Sequence, residues 1–171
     1  MYNRLLVTLD GSDFARAALD EAVQVADGNS TVILSEVIDS IGQVIARTTP
    51  VAFGVDATPD LTAAERVIES QIAGAEAQLK AARGVLRRAG IESIEIRILD
   101  GQPGPEIVKL ANDEEVEVIV MATHGRSGVR RAVLGSVSDY VVRNTGATVL
   151  LVRPAAEVDQ PQVKEDVVAA T

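Results

Sequence analysis

Short runs of β-branched and aliphatic residues alternate along this chain with longer segments of helical spacing. The runs cover residues 4–9, 31–38, 92–99, 116–120 and 148–152. Apolar residues three and four apart predict helices between them, at 15–26, 62–90, 105–114 and 136–144. Helical crossovers join parallel strands and are almost always right-handed. The order predicts an α/β fold, an open five-stranded parallel sheet with helices on both faces.

The composition agrees with this sheet. Hydrophobic residues make up 47% of the chain and aromatic residues only 2%, so the core must consist of Val, Ile, Leu and Ala. This is the usual core of buried parallel strands covered by helices. A length of 171 residues predicts one domain, which we place at residues 1–154. The composition of residues 155–171 predicts that they form a disordered acidic tail.

Several classes of protein are disfavoured. Without cysteine there are no disulfides, thiolate metal sites or Cys nucleophile, and a single histidine makes a zinc cluster implausible. A net charge of -9, no Trp and two Phe argue against a nucleic-acid partner. No apolar run reaches the ~18 to 20 residues of a membrane span, and no signal peptide precedes the first strand. We expect a cytoplasmic protein without membrane contact.

The segment from residue 121 to 136 predicts an anion site. It leaves the end of an apolar run and closes on a helix start, and it carries three glycines and three arginines: Gly125, Gly128, Gly135, Arg126, Arg130 and Arg131. Glycines allow close backbone approach, and a helix N-terminus offers unpaired amides and partial positive charge. The alternative is that the glycines only turn the chain and the arginines form a solvated rim.

Ligands of open parallel sheets bind at the carboxyl ends of the strands, where the strand order reverses. If the first and fourth strands are central neighbours, the loops at 10–13 and 122–135 face each other across one cleft. Residues 40–60 lose periodicity and contain several Gly and Pro. We interpret them as a mobile cover near the strand ends or as a disordered segment.

The outer strands are also predictable. In the third strand Ile94, Ile96 and Ile98 alternate with polar residues, so one face should meet solvent, which is typical of an edge. The last strand carries no charge, and at a free edge its unpaired backbone would favour association. We therefore predict a homodimer through Thr148–Val152.

Several motifs of nucleotide chemistry are absent. There is no Gly-Lys-Ser/Thr, and the glycines follow the fourth strand, which excludes the dinucleotide fingerprint after a first strand. His124 is the only candidate base. Its position in the loop favours a hydrogen bond to ligand over catalysis.

Three separated motifs resemble the universal stress protein family. They are Leu-Val-Thr-Leu-Asp-Gly-Ser at 6–12, Val-Ile-Asp at 37–39, and Met-Ala-Thr-His-Gly at 121–125 followed after nine residues by Gly135 and Ser136. The resemblance covers residues 1–154 and implies a Rossmann-type fold like that of adenine nucleotide α-hydrolases. In the ATP-binding branch the loop reads Gly, two residues, Gly, nine residues, Gly and Ser or Thr. Here Ala122 replaces the first glycine. The other branch lacks the glycines and binds no nucleotide.

The resemblance implies ATP as the ligand, with Mg²⁺ or Mn²⁺ bound through the phosphates. It implies that Asp10 contacts the adenosine part, that the Val37 backbone meets the adenine edge, and that Thr8 and Leu9 form the adjoining wall. The phosphates would be held by Gly125, Arg126, Gly135 and Ser136 with the amides of Val137 and Ser138. The other residues that the resemblance assigns to the nucleotide site are Met121, Ala122, His124 and Gly128. Ser136 is further expected as the N-cap of its helix.

These features predict a cytosolic, homodimeric, ATP-binding regulatory protein that senses nucleotide or stress state through conformation. Two alternatives stay open. One is a weak ATPase in which arginine stabilises the transferred phosphoryl charge. The other is a nucleotide-free scaffold, which the alanine at 122 favours.

Overall fold

The structure, a computed structural model, describes residues 2–12, 15–48, 60–123 and 135–153. Five strands and five helices follow one another in these residues. They are β1 (Arg4–Leu9), α1 (Ala15–Val25), β2 (Thr31–Ile38), α2 (Ile41–Thr48), α3 (Leu61–Arg88), β3 (Ser93–Asp100), α4 (Pro103–Asp113), β4 (Val118–Ala122), α5 (Ser136–Asn144) and β5 (Thr148–Val152). The predicted tail at 155–171 lies outside the described residues, so the domain boundary stays a prediction.

All strand pairs are parallel, and the sheet has the order β3-β2-β1-β4-β5. The predicted α/β class is confirmed, and the condition for one shared cleft is met because the first and fourth strands are central neighbours. Strand order reverses at β1, which pairs with β2 on one side and with β4 on the other. The carboxyl ends of these three strands therefore lie side by side at the switch point.

Alternate residues of each strand point to two cores. Leu5, Val7 and Leu9 of β1 belong to the core under α1 and α3, whereas Leu6 belongs to the core under α4 and α5. The same alternation runs through β2, whose residues 32–35 are buried, and through β4, whose residues 118–121 are buried. Helices thus cover both faces, as the buried aliphatic strands require.

The segment 40–60 was predicted to lack regular structure, and this is wrong for residues 41–48, which form α2. Three contacts fix Asp39, which lies between the end of β2 and the start of this helix. Arg47 forms an ion pair with Asp39, and Gln71 of α3 donates to the Asp39 carboxylate at 3.0 Å and accepts from the Asp39 amide at 3.0 Å. These hydrogen bonds hold the pKa of Asp39 below its usual range, with the bond from Arg47 the main cause. Residues 49–59 lie outside the described part of the chain.

Two helix starts differ from the prediction. Helix α3 begins at Leu61, one residue before the predicted start, and Asp60 caps it, with its carboxylate accepting from the Ala63 amide at 3.0 Å. Helix α4 begins at Pro103, two residues before the Pro105 that we expected at its start. Proline suits a first helical position because the missing N–H has no partner there in any case.

The third strand lies at a sheet edge, as predicted, but its polar face does not point freely to solvent. Arg97 donates to Glu95 at 2.6 Å and to Glu114 at 3.1 Å, and Arg4 joins the same group by pairing with Glu114. These side chains are half-buried. The network ties β3 and β1 to the end of α4, and hydrogen bonding by Arg97 lowers the pKa of Glu114.

Candidate functional site

A cavity of about 340 Å³ opens at the carboxyl ends of β1, β2 and β4, between the first turns of α4 and α5. This volume lies within the range of small-molecule sites, roughly 300–1,000 Å³. Its walls consist of Thr8, Leu9, Asp10, Glu36, Val37, Pro103, Ile107, Met121, Ala122, Gly135, Ser136, Val137 and Ser138. The position is the topological switch point, where the sequence predicted a cleft.

Ten of the residues predicted from the resemblance line this one cavity: Thr8, Leu9, Asp10, Val37, Met121, Ala122, Gly135, Ser136, Val137 and Ser138. The other four, His124, Gly125, Arg126 and Gly128, lie outside the described residues. Sequence reasoning missed three wall residues, Glu36, Pro103 and Ile107. Glu36 immediately precedes Val37 at a strand end, and Pro103 opens the helix that starts at the same sheet edge.

The N-terminus of α5 faces the cavity. Gly135 is its N-cap, with φ -61° and ψ 154°, and no side chain caps the helix among the residues that the structure describes. Our expectation of Ser136 as the N-cap is wrong, because Ser136 is the first helical residue. The first amides of a helix have no intrahelical partner. The amides of Ser136, Val137 and Ser138 are therefore available to an anion.

The charge in the first turn of α5 does not cancel this polarity. Asp139 accepts from the Arg143 guanidinium at 2.9 Å one turn later. That hydrogen bond lowers the pKa of Asp139, so both partners are ionised at neutral pH and the pair has no net charge. The partial positive charge of the helix N-terminus remains directed at the cavity.

Part of the cavity wall is apolar. Val37, Ile107, Met121 and Val137 belong to or pack against the core under α4 and α5, and their exposed parts line the cavity. A surface of this kind suits one face of a flat heterocycle.

The spacing between α4 and α5 is fixed by a glycine. A Cβ on Gly104 would lie 2.7 Å from Tyr140 Cδ1 and 2.9 Å from Cγ. Real Cβ atoms do not approach so closely, so the first turn of α4 contacts α5 through bare backbone. The width of the cavity between the two helices depends on this contact.

Asp10 directly follows β1 and is exposed at the cavity. Its Oδ1 accepts from the Ser12 amide at 3.1 Å and from the Ser12 hydroxyl at 2.5 Å, as in an Asx turn. Gly11 between them has φ +73°, a left-handed conformation that disfavours other residues. The loop sequence Asp-Gly-Ser therefore holds a carboxylate in one orientation at the strand end.

A second carboxylate, Glu36, stands on the neighbouring strand, where β2 pairs Glu36 with Leu9. The Gln78 side chain of α3 lies between Glu36 and the Asp-Gly-Ser loop. In the amide orientation that satisfies both neighbours, its nitrogen donates to Glu36 Oε2 at 2.8 Å and its oxygen accepts from Gly11 N–H at 3.2 Å. Burial, and secondly the charge of Asp10, raises the pKa of Glu36.

Ala122 is the last residue of β4 and pairs with Val152 of β5. Within the described residues, Glu115 is the only non-glycine residue with positive φ, so Ala122 has an ordinary extended backbone. The position at which the family pattern has its first glycine does not require glycine here. The methyl group packs against the core under α1 and α3.

Chemically, the described walls combine three functions. Amides at a helix N-terminus bind anions, carboxylates accept hydrogen bonds from hydroxyl groups, and the apolar wall takes a flat ring. No group of three or more His, Cys, Asp or Glu side chains that could hold a metal ion occurs in the described ranges.

Comparison with known proteins identifies relatives over nearly the whole chain. A sequence model described as the universal stress protein family matches residues 1–153. A putative universal stress protein of Staphylococcus saprophyticus is 33% identical over 169 residues, which cover 96% of this chain and 93% of the relative.

Solved structures resemble the fold just described. The protein MJ0577, whose structure was used to assign a biochemical function, superposes with a TM-score of 0.72 at 25% identity, covering 91% of this chain and 99% of that one. A universal stress protein in complex with cAMP superposes with a TM-score of 0.64 at 25% identity, covering 90% of this chain and 98% of that one.

Proposed function

The chain belongs to the universal stress protein family, and on this premise we propose that it is a cytosolic regulatory protein that binds ATP and reports nucleotide state through a homodimer. The observation that carries the proposal is the cavity at the switch point. Its polar end is the uncapped N-terminus of α5, and its walls contain every described residue that the family pattern assigns to the nucleotide.

The proposed pose follows from the chemistry of the walls. The phosphates lie against the amides of Ser136, Val137 and Ser138, because unpaired amides and a helix dipole both favour negative charge. Adenine lies against the apolar wall beside Val37, and the ribose lies between them near Asp10. Magnesium or manganese would bind through the phosphates. We expect the loop residues 124–134 to help bind the nucleotide, as the family pattern implies.

A related protein supports an adenine nucleotide as the ligand class. The solved universal stress protein with cAMP shares this fold, and cAMP carries the same three parts: a base, a ribose and a phosphate. The choice of ATP rests on the glycine pattern of the loop and on the room at the end of α5. Among the described residues, a Cβ at Gly135 would meet no atom within 4 Å.

Titration calorimetry with ATP and magnesium tests this proposal, with Gly135→Val as the key variant. The substitution fits the backbone, whose φ of -61° suits any residue, but its side chain would enter the space beside the phosphates. We expect wild type to bind ATP and Gly135→Val to bind at least about tenfold more weakly, a loss of about 1.4 kcal/mol.

The matched control is Gly28→Val, in the turn between α1 and β2. Gly28 also has open space around its Cβ position, but it lies away from the cavity. It should leave ATP affinity unchanged. No heat at millimolar ATP with wild type, while its thermal unfolding stays cooperative, would refute nucleotide binding.

The homodimer is proposed through β5. Within the described part of the chain, β5 pairs only with β4, and its other edge has no strand. Leu151 is 36% exposed and the strand Thr148–Val152 carries no charged side chain. An uncharged open edge favours pairing with a second copy of the same strand.

A further inference from the structure

Glu36 is the charged wall residue that the family pattern does not assign. Glu36 lines the main cavity and also an adjoining hollow with Gly11 and Gln78, toward which its carboxylate points. Its strand pairs with β1, which Asp10 directly follows, so two acidic residues line the same cavity.

We propose that Glu36 is a specificity determinant: its carboxylate accepts a hydrogen bond from a ribose hydroxyl and disfavours nucleotides whose ribose carries a phosphate there. This inference rests on the proposed function, because it takes a nucleotide to occupy the cavity. It goes beyond that function by naming which chemical forms of the nucleotide the site selects.

The position of Glu36 suits this role. A carboxylate has only acceptors, so its natural partner on a nucleotide is a hydroxyl or amino donor. An acidic residue at the end of the second strand of a parallel nucleotide-binding sheet lies beside the first strand–helix loop, where the ribose hydroxyls lie. Here the first loop carries Asp10, and Glu36 lies on the adjacent strand.

The carboxylate is also held in place before any ligand arrives. The Gln78 amide donates to Glu36 Oε2 and is itself fixed by the Gly11 amide, so the acidic side chain is tied to the loop that carries Asp10. A preorganised acceptor loses little freedom on binding, which increases the selectivity of the hydrogen bond.

A purely structural explanation is less favourable. Glu36 belongs to none of the salt bridges among the described residues, and the nearest charge that acts on it is the like charge of Asp10. Burial and this neighbour work against its ionised form. A carboxyl group whose pKa is raised in this way and which also lines a cavity is a candidate for a functional site.

Calorimetry with ATP, 2′-deoxy-ATP and 3′-deoxy-ATP tests the inference on wild type, Glu36→Gln and Glu92→Gln. A hydrogen bond from a hydroxyl to a carboxylate contributes enough that its loss weakens wild-type binding of one deoxy nucleotide about tenfold. In Glu36→Gln the ratio of the affinity for ATP to the affinity for that deoxy nucleotide should fall below about threefold, since the charged acceptor is gone. Glu92 is exposed and lies outside the cavity, so its variant should behave as wild type.

The repulsive half is tested with cAMP, whose 3′ oxygen carries the cyclic phosphate. The ratio of the affinity for cAMP to the affinity for ATP should be more than about threefold higher in Glu36→Gln than in wild type, because a like charge is removed. Comparing ratios cancels any general effect of the lost charge on anion affinity.

The outcomes are distinct. If wild type and Glu36→Gln both bind ATP and show the same affinities for the deoxy nucleotides and for cAMP relative to ATP, the inference is wrong and the proposed function stands. If wild type binds none of these nucleotides, both fail. Melting of each variant by circular dichroism establishes that the comparison is between folded proteins.

Discussion

Replacing Gly104 with alanine should destabilise the protein, although the same exchange normally favours a helix. The new Cβ would lie 2.7 Å from Tyr140 Cδ1, against a usual carbon–carbon contact of ~3.5 Å, a shortfall of about 0.8 Å. The clashing atoms include Cγ and Cβ of the tyrosine, at 2.9 and 3.1 Å, which side-chain rotation moves little. Helices α4 and α5 must therefore separate.

The magnitude follows from two opposing terms. Overpacking of this kind costs roughly 1–3 kcal/mol. Alanine in place of glycine returns up to about 1 kcal/mol of helix propensity. The net loss should be about 1–2 kcal/mol, equivalent to a fall in Tm of roughly 2–8 °C for a chain of this size. Urea denaturation measures this loss directly.

Gly74→Ala in α3 is the matched control, since a Cβ there meets no atom within 4 Å. It should stabilise the protein by up to about 1 kcal/mol. Combining Gly104→Ala with Tyr140→Ala should recover part of the loss, and the double-mutant cycle measures this coupling. A Gly104→Ala protein as stable as wild type, or a cycle with no coupling, would refute the argument that bare backbone sets the distance between these helices.

Three further predictions concern other parts of the molecule. Burial and a neighbouring carboxylate raise the pKa of Glu36, so its ionised form lowers stability; Glu36→Gln should raise Tm at pH 7, and the gain should vanish as the pH falls through that raised pKa toward 4. Asp60→Ala should lower the free energy of unfolding by about 1 kcal/mol, because it removes the observed cap of α3, whereas Thr62→Ala should change it little. Leu151→Lys at the edge of β5 should turn dimers into monomers in light scattering, whereas Val142→Lys, also exposed but on α5, should not. A monomeric wild type at micromolar concentration would contradict the proposed dimer.

The sheet was predictable from sequence because its signal is strong and local. The aliphatic runs of β1, β2 and β4 are buried on both faces, so they are continuous in the sequence, and the alternation of β3 marks an edge. The last helix was predicted at its observed bounds, Ser136–Asn144, because a glycine precedes it and its apolar spacing is regular.

Helix α2 was missed for a physical reason. Its eight residues are too few for a stable isolated helix. The helical pattern of its apolar residues is short, because it consists of Ile41, Val44 and Ile45 alone. The helix is held by burial of Val44 and by the pair of Arg47 with Asp39, a residue that Gln71 of α3 fixes in turn. Such contacts leave no periodic trace in the sequence.

The candidate site divides in the same way. Residues at strand ends and at the start of α5 could be predicted, because loop chemistry and topology bring them to one sheet edge. Pro103 and Ile107 could not, since their place in the wall depends on how closely Gly104 lets α4 approach α5. Glu36 required the phase of β2 and the Gln78 contact, neither of which the sequence reveals.

The central claim is that the first amides of α5 hold the phosphates of an adenine nucleotide. Amide chemical shifts of isotope-labelled protein, recorded during separate titrations with ATP and with adenosine, test it most directly. We predict that ATP shifts the Ser136, Val137 and Ser138 amides strongly, that adenosine leaves these three nearly unchanged, and that both ligands shift Val37. Saturating ATP that shifts other residues but leaves the three α5 amides unmoved would contradict it.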